Sequence, residues 1–236
     1  MNCMKTAAVL AVLFSSSALL SARSIESGNI DGIEYRIIAD KAGNGAEAEI
    51  LHPVFISMRE EVFNEYGLTI PLRQTVTIAC GAHLFREATG QSAVTAAVCF
   101  PERDEIVFQR VSALKRKGIL EQTVRHEILH YAVALARVRA GIPQKRAKEL
   151  YWLEEAFCTS QSPAGLYDAA KGRKTIKELG SMKKIKNYLD QFLRSENERE
   201  RSGAYAAALV LGADLSSAKG KMKAFRLAVG ADEFEE

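Results

Sequence analysis

Apolar positions along the chain keep two different periods, and the change falls near residue 110. Before it, short runs rich in β-branched and aromatic residues are bounded by Gly, Pro and Asp. IEYRIIAD at 33–40, QTVTIAC at 74–80, SAVTAAVCF at 92–100 and DEIVFQR at 104–110 predict strands, with KAGNG and PERD as turns. Two helical patterns interrupt them. Ile50, Leu51, Phe55, Ile56, Met58, Val62 and Phe63 sit close to helical spacing over 46–66, with Gly67 as the stop and Pro53 as a kink or a start. AHLFREATG predicts a short helix that ends at Gly90.

Beyond residue 110 the period becomes helical. Val124, Ile128, Leu129, Ala132, Val133, Leu135 and Ala136 form one apolar face, so Leu120 to about Ala140 is a long helix ended by GIP. RAKELYWLEEAFCTS, IKELGSMKKIKNYLDQFLR and SGAYAAALVLGADL continue as helices with short connections. Strands first and helices afterwards imply an α+β domain. No internal repeat or interdomain linker is visible.

Composition narrows the class. With 236 residues, 47% hydrophobic and 26% charged, the chain can bury one sizeable core and has no signature of disorder. The first 24 residues stand apart: Lys5 in MNCMK, the apolar and small-residue run TAAVLAVLFSSSALL, then small residues at Ala22 and Ser24. This reads as a secretory signal peptide. Ser15, Ser16 and Ser17 interrupt the run, and a membrane anchor needs roughly 20 predominantly apolar residues, so the anchor is the weaker reading. Cys3 precedes the apolar run and does not suit lipid attachment. The expectation is an exported protein, periplasmic or extracellular, without a stable membrane span, with one domain over 25–236. Removing residues 1–24 takes Lys5 and Arg23 and no acid, which leaves 30 basic residues against 29 acidic ones and no footprint for nucleic acid. Cys80, Cys99 and Cys158 remain. An oxidising compartment permits one disulfide, with Cys80 and Cys99 the favoured pair because both end strand-like runs, while each can equally be a small buried hydrophobe.

Candidate chemistry lies in TVRHEILHYAVALA at 123–136. His126 and His130, four apart on a helix, share one face. Zinc takes imidazole nitrogen at about 2.0–2.1 Å, and a catalytic site has three protein ligands plus a water. Glu127, beside the first histidine, can take the proton of that water and pass it to a leaving amine. No histidine follows His130, so the third ligand must be of another kind. Glu154 and Glu155 in YWLEEAFC offer one; as neighbours on a helix they point about 100 degrees apart, so only one can face the metal.

HEILH followed by WLEEAF resembles the gluzincin metallopeptidases, a group that includes thermolysin-like and aminopeptidase N-like enzymes and compact exported peptidase MA-like domains. The resemblance extends over most of the chain after the signal segment. It implies a zincin-like domain with a mostly antiparallel N-terminal sheet and a helical C-terminal half. It places the third zinc ligand of the W-L-x-E motif at Glu155 and leaves Glu154 as a neighbour. It further implies Zn2+ as cofactor, Glu127 as general base and a peptide or protein as substrate. DEIVFQR becomes an exposed edge that pairs with substrate backbone. Tyr205 in AYAAALVLGADL falls where a tyrosine steadies the oxyanion; a tyrosine packed on a helical surface is the competing reading.

Three positions depart from the family pattern. Ala156 stands where a glycine usually follows the ligand glutamate, and 24 residues separate His130 from Glu155, a longer gap than in the better-known families. TAAVCF lacks the glycine-led signature of the aminopeptidases, which favours endopeptidase action. These departures keep open a catalytically weak or inactive binding module of the cell envelope on the same fold, and hydrolysis of a non-peptide amide would use the same residues. His52 and His83 read as structural or surface histidines, KRK at 115–117 and KK at 183–184 as solvated faces, and DEFEE as a frayed end.

Overall fold

A two-residue turn opens the fold. In the computed structural model, which describes residues 23–71, 73–92, 94–162 and 167–232, Asp31 and Gly32 take φ of 50° and 81°. Positive φ at both central residues is the twist of a tight hairpin. It joins β1 (Ser24–Ile30) to β2 (Ile33–Ala39), with Ile30 opposite Ile33. The expected signal segment, apart from Arg23 and Ser24, and the acidic end after Asp232 lie outside the described residues.

From β2 the chain crosses by α1 (Ala46–Glu65), which runs through Pro53 rather than starting there, to β3 (Gln74–Ala79). There follow α2 (Ala82–Thr89), β4 (Ala97–Phe100), a single 3-10 turn at Pro101–Arg103, and β5 (Glu105–Gln109). The sheet order is β1-β2-β3-β5-β4. Strands β2, β3 and β5 run parallel, and the two edge strands run antiparallel to their neighbours. The sheet is therefore mixed, not mostly antiparallel. A helical crossover returns the chain to the end of the sheet from which it left, which makes the next central strand parallel.

Two further expectations change with this topology. DEIVFQR is not an edge: β5 lies between β3 and β4, and Ile106, Val107 and Phe108 are all buried. A continuous apolar run marks a strand covered on both faces. The edge is β4, the last four residues of SAVTAAVCF. Nor do Cys80 and Cys99 pair, since all three described cysteines are free. Cys99 is level with Ile106, which is level with Val76, four residues short of Cys80. With β5 between them, the strands alone are about 9 Å apart, beyond the roughly 7 Å that a disulfide spans between Cα atoms.

The second half is helical: α3 (Val111–Arg116), α4 (Leu120–Arg139), α5 (Gln144–Glu149), α6 (Tyr151–Gln161), α7 (Ala169–Leu179), α8 (Met182–Phe192), α9 (Glu198–Lys219) and α10 (Lys221–Val229). Two of the long helical patterns are each split in two, at Leu150 and at Gly180, where φ is 70°. Helices α1 and α4 bury Phe55, Phe63, Val124, Ile128 and Tyr131 with the apolar face of the sheet. A second core joins α6, α8 and α9 through Trp152, Ala156, Leu189, Ala204 and Leu211. Helix α6 belongs to both, because Phe157 and Cys158 pack into the first core. Among the described residues no helix is long and apolar enough to cross a membrane.

The approach of α9 to α6 is set by a glycine. A Cβ at Gly212 would lie 2.0 Å from the carbonyl oxygen of Ala156, so the small residue at this contact is supplied by α9 rather than by the position after Glu155. Gly212→Ala is expected to lower the unfolding free energy by about 1–3 kcal/mol through overpacking. Gly28→Ala, with no atom within 4 Å of the added Cβ, is expected to change it by less than about 1 kcal/mol. Urea denaturation of both variants checks this, and equal midpoints would contradict it.

Candidate metal centre

Helix α4 meets α6 at its buried stripe, and the docking is fixed near the start of α4. Arg125 donates to Glu61 and Glu65 of α1 at 2.6 and 2.7 Å and to the carbonyl of Gln161, at the end of α6, at 2.7 Å. One residue further, His126 and His130 turn toward Glu155. Their Nε2 atoms are 3.1 Å apart. The Nε2 of His126 lies 3.6 Å from Glu155 Oε2, and that of His130 lies 3.5 Å from Glu155 Oε1. Ligands held tetrahedrally at about 2.1 Å from one ion would be about 3.4 Å from each other. The three side chains, with ligand atoms all within 4.8 Å of one another, are spaced so that they could hold a single metal ion.

The surrounding hydrogen bonds prepare the same arrangement. Glu154 Oε1 accepts from Nδ1 of His130 at 2.6 Å, which leaves Nε2 of a neutral imidazole as the bare lone pair. The other oxygen of Glu154 accepts from Arg137, whose guanidinium also donates to the carbonyls of Ala228 and Val229 at the end of α10, at 2.7 and 3.3 Å. The Tyr151 hydroxyl donates to Glu155 Oε1 at 2.5 Å. Among the described residues Glu155 Oε2, fully buried, has no hydrogen-bond partner. A buried carboxylate with one oxygen left unpaired, beside two imidazoles, suits the role of a metal ligand.

Charge points the same way. Glu127, Glu154 and Glu155 are 7%, 8% and 3% exposed, and among the described residues Arg137 is the one buried guanidinium beside them. Burial pushes the Glu127 carboxyl up, with His126 and His130 opposing. Burial would also raise Glu155, but the facing imidazoles outweigh it and hold that carboxyl well below its usual range. At His130 burial disfavours the charged ring, yet the carboxylates of Glu155 and Glu154 hold it well above its usual value. The centre thus has a surplus of carboxylate that a proton on imidazole or a divalent cation can offset. Burial pushes the Cys158 thiol up to about 11, so it stays a thiol.

The centre is open to solvent on one side. Cavities of about 340 and 430 Å³ meet at His126, Glu127, Arg201 and Tyr205, with Ala97 of the edge strand β4 bordering both. Tyr205 stacks on Tyr167 with ring centroids 5.1 Å apart and planes at 11°. Burial pushes its phenol well above the ordinary value, with Glu155 acting in the same direction, so it remains a donor.

The structure therefore brings together His126, Glu127, His130, Glu155 and Tyr205. His52 lies elsewhere, between the Tyr35 hydroxyl and Asp31 at 3.0 and 3.1 Å, and His83 pairs with Asp40 at 3.1 Å. Sequence reasoning left Glu154 as a bystander and passed over Arg137, Tyr151, Tyr167 and Arg201. A signal existed for Arg137: it follows His126 by 11 residues, three turns along the same face.

Because Glu154 orients His130, Glu154→Gln is expected to weaken binding of a divalent metal by about 10–100-fold. Competition against a fluorescent chelator measures this; an unchanged dissociation constant in the folded variant would contradict the role. No protein-family model matches this chain and no curated protein is similar to it, so what the centre does has to be read from its own residues.

Proposed function

We propose that the protein is a zinc-dependent metallopeptidase that acts after export. The observation that carries this reading is two imidazoles and a carboxylate whose ligand atoms lie within 4.8 Å of one another, with the buried carboxylate of Glu127 beside them and a cavity against them. Two imidazoles and one carboxylate are a donor set that suits zinc better than the oxygen-seeking magnesium or calcium. Export rests on the pattern of residues 1–24.

Bound zinc supplies Lewis acidity, which acidifies a water and polarises the scissile carbonyl. The rest is done by the chain. Glu127, raised by burial, takes the proton of the attacking water and delivers it to the leaving amine. Tyr205 donates its phenolic hydrogen to the oxygen that gains charge. Tyr151 and Glu154 keep Glu155 and His130 in place while this happens. The outer edge of β4 borders the cleft, so an extended peptide can add to it as a further strand. Among the described residues, the only carboxylate on either cavity besides Glu127, Glu155 and the Arg137-paired Glu154 is the exposed Glu198. With no buried acid to hold a free amino terminus, cleavage within a chain is favoured over aminopeptidase action.

Two substitutions test the assignment. Glu127→Gln should retain the metal and lose peptide hydrolysis by at least about 100-fold. Tyr205→Phe should lower kcat by about 100–1,000-fold with KM little changed. Turnover of a peptide library together with elemental analysis of each variant decides; full hydrolysis by zinc-loaded Glu127→Gln would sink the reading.

A further inference from the structure

The faces that carry the ligands continue one helical turn beyond them. Gln122 precedes His126 by four residues on α4, and Thr159 follows Glu155 by four on α6. A spacing of four keeps each on the ligand-bearing face of its own helix. The bond from Arg125 to the Gln161 carbonyl places the start of α4 against the end of α6. The two extensions therefore lie side by side, and with Ser162 they border the cavity of about 340 Å³.

These side chains are unsatisfied. Gln122 is 8% exposed and Thr159 3%, yet among the described residues both polar atoms of the Gln122 amide and the hydroxyls of Thr159 and Ser162 have no hydrogen-bond partner. Buried amides and hydroxyls in that condition destabilise a fold. Gathered at one cavity beside the metal centre, they are groups that a ligand would complete.

Arg201 decides the sign of that ligand. It is half-buried, borders both cavities, and donates to the carbonyl of Ser195 at 3.0 Å. No carboxylate pairs with it among the described residues; Glu198, one turn earlier on α9 and also on the cavity wall, is exposed and forms no ion pair with it. Amides and hydroxyls donate or accept, but a guanidinium only donates, and it matches a carboxylate in geometry as well as charge. One turn along α9 from Arg201, Tyr205 stacks on Tyr167, and the pair lines the same cavity with an aromatic surface suited to the apolar stem of a side chain.

We propose that this cavity receives a carboxylate of the substrate peptide, gripped by Arg201 and hydrogen-bonded by Gln122 and Thr159. The choice of a peptide rests on the function proposed above. The carboxylate comes either from an acidic side chain or from a chain terminus, and the two sources are separable.

The test uses the zinc-supplemented full chain with Glu127→Gln and calorimetric binding of four hexapeptides. Three are blocked at both ends and carry Glu, Gln or Leu at one position; the fourth is the Leu peptide with a free carboxyl terminus. At least one carboxylate peptide is expected to bind about tenfold or more tightly than the blocked Gln and Leu peptides. Preference for the blocked Glu peptide assigns the pocket to a side chain, and preference for the free terminus assigns it to the chain end. Adding Arg201→Gln should bring the favoured peptide down to the level of the neutral ones. Adding Gln122→Met should weaken that peptide and raise the thermal midpoint, because an unpaired amide is replaced by an apolar chain; a purely structural glutamine would lower it. Equal affinities, no binding by any of the four, or a Gln122→Met protein that is less stable and still selective would overturn the proposal. Hydrolysis by the unsubstituted protein is scored separately. Selective binding without cleavage keeps the pocket and removes the peptidase, whereas cleavage without selectivity does the reverse.

Discussion

Three carboxylates are buried where α4 meets α6, and one buried guanidinium stands against them. Unpaired buried charge is among the most destabilising features a fold can contain, so the rest of the centre is organised around this imbalance. Arg137 takes one unit by pairing with Glu154, and its remaining donors are held by the carbonyls that end α10. Glu154 in turn fixes the ring of His130. What is left is Glu155 and Glu127 opposite two imidazoles, an arrangement that a divalent cation completes in charge and in geometry at once.

The fold supplies the rigidity that such a centre requires. Helix α6 is the wall shared by two hydrophobic cores, and nine of its eleven residues are buried, the two glutamates included. Its distance from α9 is set by Gly212 against Ala156, and that packing places Tyr205 over the opening. On the other side, β4 is tied into the sheet by β5, while the β4–β5 turn is held to α4 by the bond from the Tyr131 hydroxyl to Asp104 at 2.6 Å. The candidate ligands, Glu127, Tyr205 and the edge strand thus sit on packed elements, the rigidity that the proposed chemistry would need.

The parts of this picture that follow local spacing were legible in the sequence. His126 and His130 declare themselves by a separation of four within a helical pattern, and the three apolar residues of β5 declare a covered strand even though the family resemblance pointed to an edge. Strand β1 was missed because SIESGNI is largely polar and exposed; the Asp31-Gly32 pair after it is a hairpin signal that went unread. The parallel pairings follow from how the helices return the chain, which apolar alternation does not encode. Glu154 is the instructive case. Its neighbour Glu155 was singled out by resemblance, and the role of Glu154 depends on Arg137 and His130 arriving from another helix, a fact of packing with no local signature.

The most direct measurement is the metal content of the purified protein after dialysis against metal-free buffer and re-supply of micromolar zinc, by elemental mass spectrometry, beside the same protein carrying Glu155→Gln. The account expects about one zinc per chain in the first and a marked loss in the second. A folded protein that takes up no zinc, or a variant that holds it as tightly as the parent, would mean that His126, His130 and Glu155 meet for structural reasons alone.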